Sequence, residues 1–251
     1  MSYARLTYDW NVTIHVDIVD QSSRGGFYDW EKIAHACQTQ IRFNVAGPWG
    51  IGNAATVRVV DKPVPGHWPV YILDDSDVDG ALGYHDTDPN NPILPIGKVF
   101  VKTDEKYGLE PSVTLSHEIV EIIGDPMAQY TFQATATQFW VVELCDAVEA
   151  DALGYEVEGV LVSDFVLPQW FYGGPGPYSY RRSVTNSRQL ARGGYQAYFD
   201  VAARRWTQIT ANSAPGTTSR AVTMGSRGRL HDRILLQEWA EAVPQQEIQL
   251  P

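Results

Sequence analysis

Cysteine is scarce: Cys37 and Cys145 are the only two in 251 residues. Two cysteines cannot build a disulfide framework, so no oxidising compartment is implied, and both read as small core residues. No run of 18 apolar residues exists, which excludes a transmembrane helix and predicts no membrane partner. The opening Met1-Ser2-Tyr3-Ala4-Arg5 leads into polar, aspartate-containing sequence, unlike a signal peptide. The expected location is therefore cytoplasmic. Bases are few, 19 against 30 acids, for a net charge of −11. The imbalance is concentrated in residues 1–170, with 25 acids and 9 bases, whereas residues 171–251 hold 5 acids and 10 bases. So acidic a front argues against nucleic acid as a ligand and suits solubility or cation binding. What is plentiful is apolar sequence, 44% of the chain, enough for a sizeable core.

Periodicity gives a coarse order of elements. Residues 7–18 alternate as a strand does, and Asp29 can cap a helix reaching about Phe43, with Trp30, Ile33, Ala34, Cys37 and Ile41 on one stripe. Residues 55–60, 68–73 and 97–102 read as strands, with a short edge strand at Gly80–Tyr84. Residues 111–123 read as a helix, with Pro111 in its first turn and Gly124-Asp125-Pro126 as its stop. A second helix or turn is expected around 138–150, and hairpins at 155–167 and 195–210. Residues 211–230 read as a connector and 231–243 as a short amphipathic helix bearing Leu235, Trp239 and Ala242. The order predicts an α+β fold: a mixed sheet with a central helix in 1–170, and a β-rich extension in 171–251.

The chemistry concentrates in His117-Glu118-Ile119-Val120-Glu121. On a helix, positions 117 and 121 share a face one turn apart and can grip one metal ion. Glu118 then stands beside the metal, where a base that activates water belongs, as in the H-E-x-x-H helix of zinc proteases with glutamate in place of the second histidine. The flanks are apolar: Val113, Leu115, Ile119, Val120 and Ile122. A helix buried nearly all round should carry such polar groups only if they are paired or bind a metal.

The run H-E-I-V-E-I-I-G-D-P (117–126), followed by E-L-C-D (143–146), resembles the H-E-x-x-E-x-x-x-D-P … E-x-x-D pattern of a family of zincin-like metallopeptidases from bacteria and bacteriophages. The segments A-L-G-Y-H-D (81–86) and G-K-V-F-V (97–101) are similar to that group as well. The resemblance covers residues 55–170 well and 1–54 loosely, and it implies a zincin-like fold around a central metal-binding helix. It makes His117 and Glu121 ligands of Zn2+ and Glu118 the base. It takes a third ligand from Glu143 or Asp146, with the other orienting a ligand. Asp125 closes the helix end. The position of a metzincin third ligand falls at Met127, which cannot serve. The implied activity is a metal-dependent peptidase or amide hydrolase acting on a peptide or protein. Tyr155, Tyr172, Tyr178, Tyr180 and His231 are candidate donors to the oxyanion. An edge strand at 80–86 could receive substrate, with His85 read as a loop histidine.

Two further features compete with that reading. Asp75, Asp77, Asp79 and Asp86, with Gly80, follow a calcium-loop spacing, so Ca2+ is a candidate there and a calcium-dependent binding module a rival function. The basic tail with its short helix suggests a phage or self-assembly partner, and hence a non-enzymatic virion or assembly component that keeps the zincin scaffold.

Overall fold

The structure is a computed structural model and describes residues 13–51, 55–78, 81–211 and 217–222. Strand β1 (Ile14–Asp20) is buried without a break over Val16–Val19, as expected for a strand covered on both faces. Asp29 accepts the N–H of Lys32 at 3.0 Å and starts α1 (Trp30–Gln40), whose Ile33, Ala34 and Cys37 enter the core. The helix runs on through a wide turn at Ile41–Val45 into α2 (Ala46–Trp49) and stops at Gly50, whose φ of 66° is the left-handed stop that glycine supplies. Four more strands complete the first sheet: β2 (Ala55–Val59), β3 (Trp68–Leu73), β4 (Gly83–Asp88) and β5 (Asn91–Phe100). Their order is β2-β1-β3-β5-β4, all parallel except β4, which runs antiparallel to β5 at the edge.

Helix α3 (Val101–Tyr107) follows β5 at once, so the strand expected at 97–102 ends at Phe100 and turns helical. Helix α4 (Pro111–Gly124) is buried from Pro111 to Ile123. It packs on β4 and β5, and on the far side against β9 (Val160–Val162) of the hairpin it forms with β8 (Tyr155–Val157). Ser116 Oγ accepts the N–H of Ser163 at 2.8 Å, and Ser112 Oγ donates to the carbonyl of Leu161 at 2.8 Å. One core joins the first sheet, α1, α4 and this hairpin.

The second sheet is antiparallel: β6 (Thr131–Gln133), β7 (Gln138–Val141), β10 (Tyr195–Asp200), β11 (Arg205–Ala211) and β12 (Thr217–Val222), in the order β12-β11-β10-β7-β6. Its core is aromatic, with Trp140 edge-on to Trp170 of α5 (Pro168–Tyr172) and stacked on Tyr198. Two expectations change here. Residues 138–150 begin as strand β7 and continue as tight turns at Asp146–Val148, because Phe139, Trp140 and Val141 pair with neighbouring strands. The stretch expected as a connector contains β12, which pairs with β11. Hydrogen bonds also cross the division expected at residue 170, since β10 pairs with β7. The helix expected at 231–243 lies outside the described residues.

Candidate metal centre

Helix α4 presents His117, Glu118 and Glu121 to a space walled by β4 and by residues 143–146. The far wall is fixed by contacts with little slack. The Cβ that Gly124 lacks would stand 2.6 Å from Leu144 Cδ1, so the helix end and residue 144 touch. The Cβ that Gly194 lacks would stand 2.4 Å from the carbonyl oxygen of Ala147, so the approach to β10 presses on the turn that carries Asp146. The Ala191 N–H donates to that same oxygen at 2.8 Å. Asp125 accepts the N–H groups of Gln129 at 3.0 Å and Tyr130 at 2.7 Å, and so closes the chain reversal after α4.

His117 Nε2 lies 3.3 Å from Glu121 Oε2 and 3.3 Å from Asp146 Oδ1. The other oxygen of Glu121 accepts the N–H of Cys145 at 3.0 Å, which fixes the carboxylate's rotation and leaves Oε2 facing His117. These three residues form a group able to hold a metal ion. Zinc takes nitrogen and oxygen ligands at about 2.0–2.2 Å, so ligand atoms at the corners of its tetrahedron lie roughly 3.3–3.5 Å apart. The observed 3.3 Å spacings match that edge. Hence the donor set fits zinc. Between the two downstream carboxylates, Asp146 is the one that shares a group with His117.

Glu143 belongs to a second group, with Glu121 and His85. His85 was expected in a loop, yet it is a fully buried residue of strand β4. Its Nδ1 lies 3.6 Å from Glu121 Oε2 and 3.8 Å from Glu118 Oε2, and its Nε2 lies 3.8 Å from Glu143 Oε2. Gly83 and His85 are two apart on strand β4 and so share a face. Gly83 is where Glu118 lies, since a Cβ there would stand 2.6 Å from Glu118 Oε1.

Four carboxylates (Glu118, Glu121, Glu143, Asp146) and two imidazoles are thus at most 4% exposed. Buried charge of one sign is costly unless something compensates it. Burial works against a charge on His117, but Glu121 and Asp146 outweigh it and hold its proton well above the ordinary range. Burial and Asp146 push Glu121 up, whereas His117 and His85 prevail and bring it below its ordinary value. The Cys145 thiol is driven well up by burial and by Glu121, so it stays protonated, and it is the residue's backbone that serves the site.

Other candidates fall elsewhere. Tyr155 donates its hydroxyl to Asn44 at 3.0 Å, and Tyr178 donates to the carbonyl of Gly174 at 2.6 Å. Tyr180 stacks on Phe165, Tyr172 packs edge-on to Phe132, and His231 lies outside the described residues. In the acidic run, Asp77 pairs with Lys98 and accepts the Tyr84 hydroxyl at 3.0 Å, and Asp75 faces Lys102 at 3.6 Å. Asp86 is on β4 and accepts the N–H of Thr87 at 2.7 Å, and Asp79 lies outside the described residues. Among the described residues, no helix is long and apolar enough to cross a membrane. No protein-family model, curated protein or solved structure matches the chain.

Proposed function

We propose that the protein is a zinc-dependent peptidase or amide hydrolase of zincin-like design, as the resemblance of residues 117–126 and 143–146 implies. The observation that carries the reading is the 3.3 Å spacing of His117 Nε2 from both Glu121 Oε2 and Asp146 Oδ1, the separation a tetrahedral ion requires. His117, Glu121 and Asp146 would hold the metal. When bound, zinc polarises a scissile carbonyl and acidifies water.

The remaining work falls to Glu118. It is buried beside the donor set and not part of either group, and its Oε2 takes no hydrogen bond. A carboxylate so placed is available to take a proton from the attacking water and return it to the leaving amine. Gly83 leaves room for it on the edge strand, so substrate chain lying along β4 would bring its carbonyl near Glu118.

The test is digestion of an unstructured protein such as casein by the zinc-loaded full chain, beside Glu118→Gln with its zinc content measured. Wild type should cleave, and the variant should hold equal zinc and cleave about 10²–10⁴-fold more slowly. Equal rates, or no cleavage by either, would overturn the hydrolase reading.

A further inference from the structure

Five of the six buried groups fall into two triads rather than one cluster: His117, Glu121, Asp146, and His85, Glu121, Glu143. Glu121 belongs to both. Its Oε2 stands between the two histidines, 3.3 Å from His117 Nε2 and 3.6 Å from His85 Nδ1, while its Oε1 is anchored on the Cys145 N–H. A carboxylate held by one oxygen, with donors of two different sets on either side of the other, is placed to serve two ions.

The density of donors points the same way. Four carboxyl groups and two imidazoles share a space nearly closed to water, more buried donor residues than one tetrahedral ion takes.

The second triad is also built, not a chance meeting of surface acids. His85 comes from the edge strand, where pairing of His85 with Gly97 fixes its register, and Glu143 from the segment after β7. Gln196 Nε2 donates to the Glu143 carbonyl at 3.4 Å, which ties that segment to β10. Glu118 Oε2, buried and without a hydrogen bond, is directed at His85 Nδ1 from 3.8 Å.

We infer that His85, Glu121 and Glu143 form a second metal site, so that the centre takes two divalent cations bridged by Glu121. The inference rests on the first site proposed above. Paired ions of this kind lie about 3.5–4 Å apart and can clamp the two ends of a reacting group. His85 would then be a ligand, with a role distinct from that of a substrate contact.

The experiment is zinc stoichiometry on the full chain, by equilibrium dialysis and elemental analysis, repeated with Mn2+ to read spin coupling by electron paramagnetic resonance. Wild type should bind two ions per chain, and two Mn2+ should give a coupled spectrum. His85→Gln and Glu143→Gln should each bind one, with circular dichroism checking that each variant folds. One ion in wild type would overturn the second site and leave the first standing. Two ions retained in both variants would overturn the assignment of His85 and Glu143. No ion at all would overturn both sites.

Discussion

Oε1 of Glu118 lies 2.6 Å from where a Cβ on Gly83 would be, so strand β4 and helix α4 meet with no room for a methyl group. That Cβ would also be 2.9 Å from the carbonyl of Lys98 on the paired strand β5, so it could not simply swing aside. Gly83 therefore sets the position of the proposed base without touching the donor set.

Gly83→Ala should displace Glu118 while His117, Glu121 and Asp146 stay in place. Misplacement by about 1 Å is enough to cost on the order of 10²-fold in rate. Peptide cleavage and zinc titration on the same preparation check this. Loss of zinc together with activity would mean that Gly83 supports the metal ligands instead.

Gly194 plays the matching part on the other wall. Gly194→Ala would drive a methyl group into the Ala147 carbonyl and push the turn that carries Asp146. Overpacking of this kind costs about 1–3 kcal/mol of stability. Zinc affinity should fall roughly 10–100-fold, as when the support of a ligand is lost. Urea unfolding and zinc titration measure the two effects. Unchanged affinity would contradict the support proposed for Asp146.

The helix α4 motif was legible because burial, helical spacing and stop residues all agreed over 111–124. Asp125 was also readable as the closing residue, and it caps Gln129 and Tyr130. His85 was not legible. An edge strand was expected near residues 80–86, but only its pairing with β5 and its packing against α4 put the imidazole inside. Residues 138–150 misled because the apolar run Phe139–Val142 fits either period, and long-range pairing with β10 decides it. Helix α3 was hidden because Val101 continues the apolar pattern of β5 past the point where the backbone turns helical. Strand β12 is short, rich in threonine and serine, and becomes a strand only beside β11.

Away from the centre, Asp17 offers a pH-dependent contribution to stability. Its side chain is fully buried and receives the N–H of Val64 at 2.9 Å and Arg58 Nε at 2.9 Å, with His67 Nδ1 3.0 Å away. Burial pushes the carboxyl up, but these donors together outweigh it and bring Asp17 below its ordinary 3.8. Its contribution is complete above the ordinary value and is lost as pH falls through the folded one. Asp17→Asn should cost about 1–3 kcal/mol at neutral pH. The gap from wild type should narrow below about pH 4. Urea unfolding from neutral to acid pH checks this, and a constant gap would contradict it.

The central claim is that His117, Glu121 and Asp146 hold a metal, and anomalous scattering at the zinc edge tests it most directly. Crystals of the full chain soaked in zinc should show a peak within about 2.3 Å of His117 Nε2, Glu121 Oε2 and Asp146 Oδ1. A map with no peak there, or with zinc only at surface carboxylates, would contradict the account.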